Sequence, residues 1–190
     1  MRKVKKTKYN LIASMAELIL EKGLANTSPQ DVLDRANLGK GSFYHYFAGK
    51  EDLAYHAIKF NIDRLIEEST YVLEKEKTAH NKIMVFLNKQ RNIDRGCFAG
   101  QMARDPMIMA NPKLANEVTR GFEWFKSTLE KLIRQGIADG TISSHLAPLE
   151  ATTIVVSILQ GSYVSAKGFQ DETYFYIGLE ALKKLLVVDD

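Results

Sequence analysis

A run of ten residues, 38–47, constrains the fold of this chain more than any other stretch. Four of the ten are phenylalanine or tyrosine, and a histidine lies among them. Phe43 and Phe47 are four positions apart, so on a helix they share one face. The spacing predicts a short helix that buries these two phenylalanines and turns the three polar-tipped rings between them outward.

A second short helix is predicted just before this run, at residues 28–36. Either Thr27 or Ser28 caps its start, and Thr27 with Gln30 has the spacing of a capping box. Residues 37–39, Asn-Leu-Gly, then form a tight turn. Two short helices joined by such a turn make a helix-turn-helix, whose second helix enters the DNA major groove.

The charge is unevenly placed along the chain. Residues 1–60 hold 10 Lys and Arg against 6 Asp and Glu, whereas residues 61–190 hold 16 against 17. Five of the first eight residues are basic, and we expect them to form an arm before the first helix. Such an arm is either a solubilising tail or a contact to the phosphate backbone, and the adjoining helix-turn-helix favours the phosphate contact.

These residues resemble the DNA-binding domain of the tetracycline repressor (TetR) family over about the first third of the chain. The resemblance rests on Thr27-Ser28, Asp31-Val32, Ala36, the run GKGSFYHYF at 39–47, and Gly49-Lys50-Glu51-Asp52-Leu53. Two positions depart from the family pattern. Gly39 stands where serine or threonine is frequent, so a hydroxyl contact to DNA is missing, and Gly49 stands where a serine often caps the next helix.

The rest of the chain predicts an all-α fold of about nine helices. After the three-helix head, helices are expected at about residues 50–77, 79–93, 97–104, 112–138, 148–167 and 172–187, with a methionine-rich loop at 105–112. We expect residues 1–60 to form the DNA-binding domain and 61–190 the regulatory and dimerisation domain. The last two helices are apolar around more of their surface than one core requires, which fits either a buried position or a dimer interface. The resemblance implies a homodimer through them.

The predicted DNA contacts lie in and around the second helix of the helix-turn-helix. Lys40 and Ser42 reach base edges, and Gly41 lets the backbone approach a phosphate. Tyr44, His45, Tyr46, Lys50, Thr27 and Ser28 contact phosphates or, for the rings, a base. The resemblance supports Tyr44, Tyr46 and Lys50 most strongly. The alternative for each is a packed or idle surface side chain.

A sensing role is predicted for Cys97, the single cysteine of the chain. It follows Arg95 at the expected start of a helix, and both features favour the reactive thiolate. The surrounding residues resemble the branch of the family that answers N-ethylmaleimide and other electrophiles, in Gly96-Cys97, Ala103, and Gly161 followed by Ala166-Lys167. In that branch a late lysine lies near the cysteine, which would place Lys167 beside Cys97. The alternative is a small packed cysteine with no sensing role.

An adaptable apolar effector pocket is also predicted, and ordinary core packing is its alternative. Its lining would come from Phe98, Met102, Phe122, Phe125 and Tyr163, together with Met107, Met109 and Trp124.

Composition narrows the class of protein. The chain has 45% hydrophobic and 26% charged residues, as ordinary globular proteins do, and no apolar run approaches the roughly 18 residues of a membrane span. No secretory signal is recognised, so we expect a cytoplasmic protein with no membrane contact. The four histidines are scattered, so no metal, cofactor or enzyme activity is predicted. We expect a repressor released from palindromic double-stranded DNA by a small molecule or electrophile; the alternative is a DNA-binding protein controlled by a partner or by no ligand.

Overall fold

The structure is a computed structural model that describes residues 2–143 and 145–186, with the side chains of residue 6 onward. It contains ten helices: α1 (Arg2–Lys22), α2 (Pro29–Ala36), α3 (Lys40–Tyr46), α4 (Lys50–Glu74), α5 (Ala79–Asn88), α6 (Phe98–Arg104), α7 (Pro106–Ala110), α8 (Pro112–Ala138), α9 (Pro148–Phe169) and α10 (Thr173–Leu186). No strand occurs among the described residues. The all-α prediction is confirmed, with one helix more than expected.

Two compact units divide the chain in an interleaved way. Unit 1 comprises Met1–Leu65 and Phe98–Gly121, and unit 2 comprises Ile66–Cys97 and Phe122–Asp190. Helices α6 and α7 and the first part of α8 therefore belong to the unit that holds the helix-turn-helix. The predicted functional division near residue 60 stays a prediction, because it concerns what each part does.

Two predicted boundaries are wrong. The basic arm is not separate from the first helix, because α1 already begins at Arg2. Helix α5 ends at Asn88 instead of Ile93, because Lys89 has extended backbone angles and the Arg91 guanidinium takes over the freed carbonyl oxygens of Phe86 and Leu87.

The methionine-rich segment was predicted as a loop, and the structure corrects this. Residues Pro106–Ala110 form the short helix α7. Asp105 caps it, because its Oδ1 accepts hydrogen bonds from the backbone N–H groups of Met107 and Ile108 at 2.9 and 3.2 Å. Ile108 is fully buried and fixes the helix to unit 1.

Helices α1, α2 and α3 enclose the small core predicted for the head. Phe43 and Phe47 are 1% and 2% exposed, and Val32 and Leu33 are buried beneath α2. The prediction that Phe43 and Phe47 share a buried face is confirmed. Burial of two phenylalanines stabilises this head by about 3–6 kcal/mol before entropy is counted.

Unit 2 is built on a separate core, to which α5, α8, α9 and α10 all contribute. Helices α9 and α10 pack closely where Gly178 faces Ser162, since a Cβ at Gly178 would collide with the Ser162 hydroxyl. Within the described residues, no helix combines the length and the apolarity that crossing a bilayer requires.

Candidate nucleic-acid interface and sensing site

The N-terminus of α2 is held by a capping box. Ser28 Oγ accepts from the Asp31 backbone N–H at 3.1 Å, and Asp31 Oδ2 accepts from the Ser28 N–H at 2.7 Å. Of the two predicted caps, Ser28 is therefore right. The predicted pair of Thr27 with Gln30 is wrong, because the cap lies one residue later.

Thr27 is placed differently from the prediction. Its side chain is fully buried, and its hydroxyl donates to the Gly23 carbonyl at 2.8 Å. The hydroxyl is thus used inside the head and is not presented for DNA. Only Ser28, which is exposed, remains available at this helix N-terminus.

Two ion pairs hold α2 against α1. Lys22 Nζ lies 3.0 Å from Asp31 Oδ2, and the Arg35 guanidinium binds Glu21 through two hydrogen bonds of 2.8 and 2.6 Å. The Ser28 backbone N–H and Lys22 hold the pKa of Asp31 far below its ordinary value of 3.8. The capping box is therefore carried by an ionised carboxylate.

The turn between α2 and α3 depends on Asn37. This residue is left-handed, with φ at 52°, and its N–H returns to the carbonyls at the end of α2. Gly39 has φ at −78°, an extended conformation that any residue adopts, and no atom lies within 4 Å of the Cβ it lacks. Neither backbone angle nor packing requires a glycine there.

The outer face of α3 carries the predicted rings. Tyr44 is 72% exposed although its ring packs edge-on against buried Phe43 at 5.2 Å. His45 is exposed, and its ring lies 4.6 Å from that of half-buried Tyr46. The buried phenylalanines thus fix the backbone while the polar ring tips face outward.

The start of α3 is open to an approaching partner. Lys40 and Gly41 are exposed and Ser42 is half-buried. No heavy atom lies within 4 Å of the position a Gly41 Cβ would take. The fold leaves free space at Gly41, and packing does not account for the glycine.

The start of α4 adds a second cationic position. Lys50 Nζ lies 3.5 Å from the Ala25 carbonyl, and Asp52 caps the helix by accepting the Ala48 N–H at 3.1 Å. Asp52 therefore does the work for which a serine at Gly49 was expected. Burial and neighbouring Lys8 lower the pKa of His56, which keeps that imidazole neutral at pH 7.

Cys97 is half-buried in unit 2. Its Sγ accepts a hydrogen bond of 3.1 Å from Gln160 Nε2, on α9. The predicted partner Lys167 is exposed and lies seven positions beyond Gln160, which is about 10 Å along a helix. No contact joins Lys167 to Cys97 among the described residues, so their pairing stays a prediction.

The residues predicted to line one effector pocket belong to different units. Phe98 and Met102 lie in unit 1, and Phe122, Phe125 and Tyr163 in unit 2. Met102 is fully buried beside a cleft of about 440 Å³ that α1, α6 and the start of α7 form within unit 1. Phe125 packs against Phe86 at a ring distance of 5.8 Å, as a core residue does.

Three side chains with polar roles were missed from the sequence. They are Asp105, which caps α7, Gln160, which contacts the cysteine, and Arg91, which lies close to Cys97 and Tyr163. Each acts through partners far away in sequence or through irregular backbone. No periodicity or motif marks such positions.

A capped helix, a three-residue turn and a second helix with outward polar rings define a helix-turn-helix DNA-binding protein. The family model described as "Bacterial regulatory proteins, tetR family" matches residues 11–57. The model described as "Tetracyclin repressor-like, C-terminal domain" matches residues 78–182. The chain belongs to the TetR family and is a DNA-binding transcriptional regulator, not an enzyme.

Individual relatives agree with this assignment. The transcriptional repressor NemR of Escherichia coli is 24% identical over 173 residues, covering 85% of this chain and 84% of NemR. The crystal structure of reduced E. coli NemR superposes with a TM-score of 0.83 at 19% identity, over 96% of this chain and 98% of that one. The regulator FadR of Bacillus subtilis, solved in complex with stearoyl-CoA, gives 0.70 at 18% identity, over 94% and 97%. At these identities the solved structures are evidence for the fold.

Proposed function

We propose that this protein is a repressor that binds a palindromic operator as a homodimer and leaves it when a small molecule or an electrophile acts on unit 2. The observation that carries the proposal is the exposed face of α3, where Tyr44 is 72% exposed on a helix anchored by buried phenylalanines. The name of the E. coli relative, a transcriptional repressor, supports repression over activation.

Sequence reading is assigned to the start of α3. Lys40 is long enough to reach a guanine edge, and Ser42 is able to hydrogen-bond a base edge in the major groove. Both lie in the first turn of α3, the end of a recognition helix that usually meets the bases. Free space around Gly41 supports close approach of the helix backbone to DNA.

Positioning on the phosphate backbone is assigned to flanking residues. Tyr44, His45 and Tyr46 carry rigid rings with polar tips on the exposed side of α3. Lys50 begins α4, where a cation is unfavourable beside the helix dipole, and a DNA phosphate would offset that cost. Ser28 is exposed at the N-terminus of α2.

Dimerisation is assigned to α9 and α10. Their outer surfaces expose Val164, Phe169, Tyr176, Ile177 and Leu185 by 54%, 63%, 54%, 61% and 55%. Large apolar side chains exposed on neighbouring helices are typical of an interface. A twofold dimer would set two α3 helices against successive major grooves, about 34–36 Å apart or more.

Effector response is assigned first to Cys97. The thiol is half-buried and held by Gln160, so a modification must displace that hydrogen bond. A bulky adduct there would favour a different arrangement of unit 2, and DNA binding would change through the difference in affinity of the two arrangements. Lys167 would assist by trapping oxidised sulfur, and Phe98, Met102, Phe122, Phe125 and Tyr163 would line the path of an apolar effector.

A second candidate is a regulator of the same fold controlled by a partner protein or by no ligand. The packing of Phe125 in the core of unit 2, where an effector was expected, favours it. A thermal-shift screen separates the two candidates. A stabilising compound or a thiol response supports the first, and neither result supports the second.

The DNA part of the proposal is tested by selection of binding sites from genomic fragments, followed by footprinting. We expect one protected palindrome with half-sites at least one helical turn apart. The dimer part is tested by Ile177→Lys, which puts a charge on the apolar face. Sedimentation should give a monomer, and wild-type protein a dimer; a dimeric variant would contradict the assignment.

A further inference from the structure

Unit 2 contains a positive charge without an acidic partner. Arg91 donates only to backbone carbonyls, through Nη1 to Leu87 and Lys89 at 2.9 and 2.7 Å and through Nη2 to Phe86 at 2.5 Å. No carboxylate lies within ion-pair distance of it in the described part of the chain. Burial lowers the pKa of Arg91 below its ordinary value, so its charge is costly here without an anion.

Arg91 still has donors to offer. A guanidinium carries five N–H groups, and its three carbonyl contacts leave one on Nε and one on Nη2. These two belong to neighbouring nitrogens of a planar group, a spacing that matches the two oxygens of a carboxylate. The guanidinium is oriented by the Phe86 ring, whose centroid lies 5.3 Å from Cζ.

Tyr163 supplies an unused hydroxyl at the same place. The side chain is 9% exposed and packs on Phe175 at a ring distance of 4.7 Å. Its oxygen has no hydrogen-bond partner among the described residues, yet it is not one of the buried atoms sealed without a partner. It therefore faces a space that another molecule can enter.

Burial raises the pKa of Tyr163 to about 12, and the positive charge of Arg91 opposes that rise. The hydroxyl is neutral at pH 7 and acts as a donor. Gln160, three positions earlier on α9, shares its helix face and contacts Cys97 at 3.1 Å. Arg91, Gln160 and Tyr163 thus converge beside the thiol.

The surroundings of these polar groups are aromatic. Phe86, which stacks on Arg91, packs against Phe125 at 5.8 Å, and Phe125 packs against Trp124 at 5.2 Å. Both Trp124 and Phe125 are only partly buried against the core. An apolar body would find contacts here next to a cationic end.

We propose that Arg91, Tyr163 and Gln160 form the polar end of a site that binds a carboxylate with an apolar body. The carboxylate would take the two free guanidinium donors and the tyrosine hydroxyl, and its apolar part would lie along the aromatic side chains. A neutral ligand would leave the arginine charge uncompensated. Binding itself does not depend on the proposed repressor function; only its use as an effector signal rests on that function.

The test is calorimetric titration of the DNA-free protein with octanoate and with the matched neutral probe octan-1-ol. We expect octanoate to bind at least about tenfold more tightly, since a hydrogen bond to a charged group contributes about 1.5–3 kcal/mol. Trp124 is the only tryptophan, so its fluorescence gives a second readout.

Tyr163→Phe is the decisive variant, because it keeps the packed ring and removes only the hydroxyl. It should weaken octanoate about tenfold and leave octan-1-ol unchanged. Arg91→Gln should abolish the preference for octanoate, although it also removes a cap from α5. Arg134→Gln, which removes an exposed arginine paired with Glu130 in the same unit, is the control and should bind like wild type.

Three results would overturn the site. They are equal affinity for the two probes, wild-type octanoate affinity in Tyr163→Phe, and no binding by any straight-chain carboxylate from butanoate to dodecanoate. Operator binding is measured separately. If octanoate binds as expected but never alters operator affinity, the site stands and its regulatory use fails.

Discussion

The backbone N–H of Leu24 donates a hydrogen bond of 2.7 Å to Asp105 Oδ2, across 81 positions of sequence. The other carboxylate oxygen caps α7 through Met107 and Ile108. One side chain therefore starts α7 and fixes the turn between α1 and α2 within unit 1. The methionine-rich helix is tied directly to the segment that leads into the helix-turn-helix.

Replacing Asp105 should destabilise unit 1 in two grades. Asp105→Asn keeps one capping oxygen but loses the acceptor for Leu24, at a cost of about 1 kcal/mol, whereas Asp105→Ala loses both, at about 2–3 kcal/mol. Urea unfolding at pH 7 and fixed protein concentration measures both variants. Asp139→Ala, whose hydrogen bonds are confined to its own turn, is the control. Equal midpoints for the two Asp105 variants would contradict the dual role.

Gly41→Ala should separate folding from DNA binding. No atom blocks the added methyl group, and alanine is the better helix former, so thermal stability should rise by about 0.5 kcal/mol. Affinity for the operator should fall, because the methyl group stands where DNA is expected to approach. Gly168→Ala, equally open and outside every predicted DNA contact, should leave affinity unchanged. Unaltered binding by Gly41→Ala would remove close approach from the account.

Tyr44→Ala should weaken binding to all DNA sequences about equally, by roughly tenfold, since phosphate contacts position the protein without reading bases. Tyr71→Ala is a matched control, because Tyr71 is 63% exposed on α4 against 72% for Tyr44. Anisotropy titrations at one salt concentration measure both. Ser42→Ala and Lys40→Ala should instead change the preferred sequence. A normally folded Tyr44→Ala protein that binds like wild type would undo the docking.

The capping box should make stability depend on acid. The folded-state pKa of Asp31 lies far below its ordinary value of 3.8, so below about pH 5 the unfolded chain binds more protons than the folded one. The free energy of unfolding therefore rises with pH in this range. The contribution is complete above about pH 5 and is lost as pH falls towards 2 and beyond.

Asp31→Asn should remove this part of the pH dependence, measured by urea unfolding at pH 5, 4, 3 and 2. Lys22→Met should leave an intermediate slope, because the Ser28 backbone N–H, the largest cause of the shift, remains. An unchanged slope in Asp31→Asn would show that the acid sensitivity originates elsewhere.

Local patterns predicted much of the fold. Helix α8 was expected at residues 112–138 and is found at Pro112–Ala138, because its apolar residues repeat at spacings of three and four and glycine follows it. The buried pair Phe43 and Phe47 also followed from spacing alone. Such features depend on residues within a turn or two of one another.

Features that depend on distant partners were not predictable. Helix α7 has five residues, too few for a periodic pattern, and the carboxylate that caps it also binds Leu24 far along the chain. Thr27 and Ser28 have similar chemistry, and only the three-dimensional turn decides that one is buried and the other caps. The grouping of Arg91 with Tyr163 arises from packing between α9 and the irregular chain after α5.

The most direct test of the central claim is an anisotropy titration of the protein onto DNA from just upstream of its own gene, at fixed salt. It is run with reduced protein, then after treatment with N-ethylmaleimide, with wild type and Cys97→Ser. Since Cys97 is the only cysteine, treatment has a single thiol to modify. We predict tight binding by both reduced proteins and loss of binding only in treated wild type. Equal loss in Cys97→Ser, or binding unaffected in wild type, would contradict a thiol-responsive repressor.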